Sequence, residues 1–137
     1  MVEESSRTAL YGALTGNSPL MALIKGVYDH VPQPGDPGEA AEFPYIALGD
    51  FTFIPWDTDT ETGAEATATF HTWSRYKGRA EVAKIHDALY AALHRAELTV
   101  AGFKLIGCEF EYAEVLVEPD GETRHGVQRY RLVLDKE

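Results

Sequence analysis

The side chains of this chain that could do chemistry are few and dispersed. Its histidines are His30, His71, His86, His94 and His125, and its single cysteine is Cys108. None stands in a metal-binding spacing: there is no HExxH, and no cysteine pair is matched by a histidine pair. His86 and His94 are eight residues apart on what reads as one helix, too far to share a metal. Ser74 lies close to His71 in sequence, but strand alternation places the two on opposite faces, so no Ser-His pair is expected. The carboxylates are scattered over loops, with no apolar pocket implied that would raise one pKa. No glycine-rich phosphate loop precedes a helix; Gly121 and Gly126 read as turn and strand glycines. The sequence nominates no catalytic, cofactor-binding or metal-ligating residue, and the expectation is a protein that is not an enzyme and carries no cofactor.

The chain that must position any site has 137 residues, the length of one domain (1–137) with a real core. Its apolar runs are far too short to span a bilayer, so no membrane partner is expected. Glu3 and Glu4, without an apolar run behind them, do not read as a signal peptide. Cys108 sits on the apolar side of its strand, reads as a small buried hydrophobe, and fits folding in a reducing cytoplasm. The formal charge is -10. From Gly26 to Ser74 there are nine carboxylates (Asp29, Asp36, Glu39, Glu42, Asp50, Asp57, Asp59, Glu61, Glu65) and no Lys or Arg. That stretch has nothing to neutralise a phosphate backbone, which disfavours DNA binding there. Two readings stay open: a solvated loop face, or a surface that repels DNA or meets a basic partner.

Hydrophobic periodicity predicts an α+β fold in the order α-α-β-β-α-β-β: an antiparallel sheet packed against one long helix, with short N-terminal helices. Ser5 or Ser6 is expected to cap the first helix, with Ala9, Leu10, Ala13 and Leu14 as its stripe and Gly16-Asn17 as its end. Ser18, as cap, and Pro19 start a second, short helix that buries Leu20, Leu23 and Ile24. Residues 33–42 are a polar loop. Tyr45–Gly49 and Phe51–Trp56 read as one strand, which Pro55 confines to an edge. Asp57–Gly63 is the tip of a long arm, and Glu65–Ser74 the returning strand. Gly78 to Ala96 is the strongest helix, capped by Gly78 with Glu81 in its first turn and striped by Val82, Ile85, Leu89 and Leu93.

The final third is a hairpin expected to form the backbone of the sheet. Ile106, Cys108, Phe110 and Tyr112 alternate with polar residues and glycine, as do Tyr130, Leu132 and Leu134. Both apolar sets must share a face. A three-residue loop, Pro119–Gly121, satisfies this by setting Cys108 against Leu132, Phe110 against Tyr130, Glu109 against Arg131 and Glu111 against Arg129.

Phe51, Phe53, Ile54 and Trp56 concentrate large apolar side chains beside Asp57, Asp59 and Glu61, where Pro55 interrupts pairing. Either these aromatics face the core, or they form a partner-binding arm; an exposed apolar edge would be a liability in a monomer. These seven residues are the candidate interaction residues.

Taken in order, several segments resemble the tail completion or tail terminator proteins of long-tailed bacteriophages and phage-like gene transfer agents. They are Ala9-Leu10-Tyr11-Gly12-Ala13-Leu14-Thr15, Ser18-Pro19-Leu20, Val27-Tyr28-Asp29-His30-Val31-Pro32-Gln33 and Phe43-Pro44-Tyr45-Ile46. His71-Thr72-Trp73-Ser74-Arg75, the helix from Gly78, Glu118 to Val127 and Tyr130-Arg131 complete the series. The resemblance implies a structural virion protein without a catalytic site. It implies a homohexameric ring that caps the tail tube, stops its polymerisation and offers a docking face to the head-side connector or stopper. The implied partners are further copies of itself, the tail tube protein and the connector; DNA passes through without specific binding. The implied location is the head-proximal end of the virion tail, after assembly in the host cytoplasm. A head-tail connector (neck) protein, and a small α+β enzyme or ligand-binding domain, remain the alternatives.

Overall fold

The computed structural model describes residues 2–33, 38, 40–57 and 62–136, and for Trp56, Asp57 and Thr62 the backbone alone. Helix α1 spans Val2–Thr15 and α2 spans Ser18–Met21. A two-residue strand, β1 (Val27–Tyr28), precedes the long pair β2 (Tyr45–Asp57) and β3 (Thr62–Ser74). Helix α3 (Ala80–Leu93) then leads to β4 (Phe103–Val117) and β5 (Arg124–Lys136). The α+β class holds. The addition is β1, which pairs in parallel with β2 through Val27 opposite Ile46 and Tyr28 opposite Ala47.

The strands form one five-stranded sheet in the order β1-β2-β3-β5-β4. The final hairpin is therefore only half central: β5 lies inside the sheet and β4 is its edge. Even-numbered residues of β3 and β5 point to the helices. Ala66, Ala68 and Phe70, with Tyr130, Leu132 and Leu134, meet Leu10 and Leu14 of α1 and Ile85, Leu89 and Leu93 of α3 in one core. The stripe of α3 is as its spacing predicts, since Val82, Ile85, Leu89 and Leu93 are fully buried. A small polar chain runs through this core: Tyr130 Oη donates to Gln128 Oε1 at 2.7 Å, and Gln128 Nε2 donates to the His86 carbonyl at 3.1 Å. It satisfies groups that burial would otherwise leave unpaired. Gly126 lets α3 approach β5: a Cβ there would lie 2.4 Å from His86 Nε2 and 2.6 Å from Val82 Cγ1.

Several boundaries differ from expectation. Helix α1 starts at Val2, upstream of Ser5 and Ser6, and Ser6 is a fully buried interior residue. Asn17, not Ser18, caps α2, its side-chain oxygen accepting from the Leu20 N–H at 3.0 Å. Leu20 and Ile24 are buried, while Leu23 is 37% exposed. At α3 the cap position is Arg79, without a side-chain cap bond. Glu81 instead accepts from Ser74 Oγ at 2.6 Å, tying the helix start to the end of β3.

The hairpin register is as expected at its centre, although the connection differs. Cys108 faces Leu132, Glu109 faces Arg131 and Phe110 faces Tyr130. The connection is longer than three residues, however, running from Val117 to Arg124. The Gly121 N–H donates to the Glu118 carbonyl, and Asp120 accepts from the backbone N–H groups of Glu122 and Thr123. An irregularity between Phe110 and Tyr112 absorbs the added residue, so Arg129 faces Tyr112 rather than Glu111. A second irregularity lies between Leu105 and Gly107. Bulges re-aim side chains, and Ile106, expected on the apolar side, is 55% exposed.

Candidate interaction surface

Pairing along β2 is one-sided for most of its length. β1 covers only Ile46 and Ala47, whereas β3 follows β2 from Tyr45 through Asp57. Pro55 stands opposite Ala64 on this one-sided stretch, where the outer edge has no strand to receive an N–H. The register slips between Leu48 and Phe51, which keeps Phe51 and Phe53 on the helix side. Both are half-buried and pack against the core. The Arg7 guanidinium lies 5.7 Å from the Phe51 ring centre and donates to the Gly49 carbonyl. Ile54 is different: it points to the other face and is 68% exposed. Thus the candidate residues divide. Phe51 and Phe53 form the base of the arm, Ile54 is free for contact, and Trp56 and Asp57 end β2 with their side chains undescribed. Asp59 and Glu61 lie outside the described residues.

The second edge, β4, exposes Ile106, Tyr112, Leu116 and Val117. Among the described residues, β2 beyond β1 on one side and β4 on the other leave a backbone edge without a strand partner, with apolar side chains at both. Carboxylates also line β4; Glu109 pairs with Arg95, and Glu111 pairs with Arg129 at 3.9 Å.

The face of the sheet away from the helices carries the histidine chemistry. His71 Nδ1 lies 2.6 Å from His125 Nε2, and His125 Nδ1 lies 3.0 Å from Glu118 Oε1. With Glu118 ionised, His125 Nδ1–H donates to the carboxylate, and its Nε2 accepts from His71 Nδ1–H. Trp73 stacks on His125 at 3.9 Å. The His71 ring lies over Gly49, where a Cβ would stand 2.4 Å from Nε2. Burial lowers the His71 pKa, the neighbouring His125 adds to the shift, and Asp50 opposes it. Ser74 is on the helix side and is bonded to Glu81, so alternation does keep it from His71. Sequence alone could not join His71 to His125, because their contact depends on β3 pairing with β5. No group of three or more His, Cys, Asp or Glu side chains is placed to hold a metal among the described residues. Cys108 is buried and its thiol is pushed up to about 12 by burial, with Glu109 adding to the shift, so it behaves as a hydrophobe. A hollow between the α3–β4 connection and β4 is lined by Arg95, Glu97, Thr99, Phe103, Lys104 and Glu109. This geometry offers edges and faces for contact.

Known proteins share both the sequence pattern and this arrangement. A chain from the virion of a native gene transfer agent particle superimposes with a TM-score of 0.87 at 25% identity, over 98% of this chain and 97% of that one. The structure of bacteriophage SPP1 gp17 protein gives a TM-score of 0.61 at 26% identity, over 92% and 86% of the two chains. The tail completion protein gp17 of Bacillus phage SPP1 is 29% identical over 122 residues, 89% of this chain and 86% of that protein. Residues 8–135 match the family described as tail completion protein gp17, and the chain belongs to that family of structural phage tail proteins.

Proposed function

We propose that this protein is a tail terminator: copies of it form a closed, hexameric ring on the finished tail tube, stop its polymerisation and present a docking face to the head-side connector. The observation that carries the reading is family membership over nearly the whole chain, together with a close fold match to a chain of a gene transfer agent virion. Local physics agrees with it. A ring closes through two different complementary patches on each subunit. This sheet has two unlike unpaired edges, the β2 arm bearing Ile54 and the bulged β4 edge. Unpaired edges of this kind accept strand-to-strand or apolar contacts from neighbours.

In this reading the arm residues Phe51, Phe53, Ile54, Trp56, Asp57, Asp59 and Glu61 contact a neighbouring subunit or the tube. Phe51 and Phe53 brace the arm from the core side, and Ile54 reaches outward. The acidic stretch lies toward the channel or a ring rim, where negative charge keeps passing DNA from sticking. The protein resides at the head-proximal end of the tail and assembles in the host cytoplasm.

Particles made without the protein test the reading directly. The expected result is tails of irregular length that fail to join heads. Tails of normal length joined to heads would overturn it. Separate pull-downs with tube protein and with head connector distinguish a terminator, which binds the tube directly, from a neck protein, which does not. A Trp56→Ala substitution should lower the yield of complete particles. A map of the ring with the central carboxylates on its outer wall would remove the channel assignment.

A further inference from the structure

The chain sets 12 Lys and Arg against 22 Asp and Glu, and several cations meet a carboxylate in place. Arg7 meets Asp29, Arg95 meets Glu109, Arg129 meets Glu111 and Arg131 meets Glu65. The connection from β3 into α3 is built differently. Arg75, Lys77, Arg79 and Lys84 crowd this short stretch and are all exposed. None of the four forms an ion pair among the described residues. Arg75 is fixed over the Phe43 ring at 4.2 Å. Of the nearby carboxylates, Glu81 accepts from Ser74, and Asp120, on which the Arg75 charge acts, is held by Thr123 and the Glu122 N–H. The start of α3 adds its own partial positive charge, because no side chain caps it. Beside this cationic surface lie Tyr76, 56% exposed, and Leu23, which line a groove with Ala80 and Lys84.

The complementary charge sits at the other end of the same strand. Asp57, Asp59 and Glu61 lie at and between the ends of β2 and β3, within a stretch that contains no Lys or Arg. β3 has 13 residues, a length of about 40 Å in an extended strand. The two ends of β3 are therefore too far apart for the Lys and Arg at one to pair with a group at the other. Two unlike, complementary surfaces at opposite ends of one subunit are what a head-to-tail contact requires.

We propose that the surface formed by Arg75, Lys77, Arg79 and Lys84 receives the acidic end of the β2–β3 hairpin, Asp57, Asp59 and Glu61, from a second copy of this chain. This rests on the ring assembly proposed above and specifies which surfaces join. The charges set orientation and register, while Tyr76 and Leu23 supply apolar surface to bury.

Zero-length carbodiimide cross-linking of the full-length protein in assembled particles, with isotopically light and heavy copies mixed, tests the proposal. The expected products join Lys77 or Lys84 of one copy to Asp57, Asp59 or Glu61 of another. The triple variant Lys77→Glu, Arg79→Glu, Lys84→Glu should lose them and weaken self-association by roughly tenfold, as several exposed pairs turned repulsive would. The variant Asp57→Lys, Asp59→Lys, Glu61→Lys should do the same, and both sets combined in one chain should restore association. Unchanged melting of each variant shows that the fold is intact. Cross-links from Lys77 and Lys84 only to tube protein, or retention by DNA alone, would overturn the assigned occupant while leaving a ring in place. Failure of the combined variant to restore association would also overturn it. A parent protein that forms no assembly in particles would instead bring down the ring reading itself.

Discussion

On its helix side, β3 contributes Ala64, Ala66, Ala68 and Phe70, all buried; one residue along, on the other side, it contributes Glu65, Thr67, Thr69 and His71, all half-buried. β5 repeats the division, with Gln128, Tyr130, Leu132 and Leu134 inside and Arg129, Arg131 and Val133 outside. The covered side is held by packing of Tyr130 against Phe70 and Phe110 and by a satisfied Gln128–Tyr130 pair. The open side is held by ion pairs between exposed groups and by the His71–His125 contact. Burial gives the first face its stability, because each apolar group removed from water contributes and each void costs. The second face can change its side chains at little cost to folding, which leaves it free to serve assembly.

The largest expected effect is therefore on the covered side. Leu89 is fully buried in the core, and Leu89→Ala should cost about 2–5 kcal/mol, read from the denaturation midpoint. A loss under about 1 kcal/mol, the level of a surface change, would break the comparison. Next comes Gly126→Ala. Its Cβ would meet His86 Nε2 at 2.4 Å and Val82 Cγ1 at 2.6 Å. Overpacking of this kind costs about 1–3 kcal/mol. Pairing it with His86→Ala should recover part of the loss, since the two sites share one space.

The covered face was the more legible in the sequence, and the reason is physical. Val82, Ile85, Leu89 and Leu93 recur at helical spacing because they all face one sheet, so periodicity alone finds them. Cys108 opposite Leu132 and Phe110 opposite Tyr130 followed from parity. What periodicity cannot show is a bulge, which alters parity without changing composition: Ile106 and Tyr112 were placed inward and are exposed. Nor can it show that β4 is an edge, since strand order depends on partners far apart in sequence. The candidate arm was legible as a segment, but its faces were not; the slip between Leu48 and Phe51 decides that Phe51 and Phe53 pack inward while Ile54 does not.

A smaller effect separates the faces through pH. Burial lowers the pKa of both His86, on the covered side, and His71, on the open side. Asp87 opposes the shift at His86, and Asp50 opposes it at His71. A depressed folded-state pKa means that the unfolded chain takes up the proton first. The stability tied to these neutral rings is thus fully present above the ordinary histidine value of 6.5 and falls away as pH drops from there through the folded-state values. The midpoint of urea unfolding should decline below that pH. Replacing His86 with Asn should flatten the decline more than replacing His71 with Asn, because His86 lies deeper and its Nε2 has no hydrogen-bond partner among the described residues. A steeper loss of slope for His71 would show the open face to be the more tightly built.

The smallest effect on stability should come with the largest effect on assembly. Ile54 projects from the one-sided part of β2, opposite Glu65, and touches nothing that folding needs. Ile54→Ser removes apolar surface that is already in water, so the unfolding free energy should stay within about 0.5 kcal/mol of the parent. If the arm seats against a neighbour or the tube, however, that same side chain is buried on assembly. Its loss should then reduce incorporation of the protein into particles, measured against parent protein in a mixed preparation. Arg131→Ala is the matched control on the same face: its ion pair with Glu65 spans 3.3 Å between exposed groups. Losing that pair should cost about 0–1 kcal/mol and leave incorporation unchanged. Equal incorporation of the Ile54→Ser and parent chains would mean that the exposed isoleucine is incidental. A drop of more than about 1 kcal/mol, what a buried contact loses, would mean that the arm is part of the folding core after all.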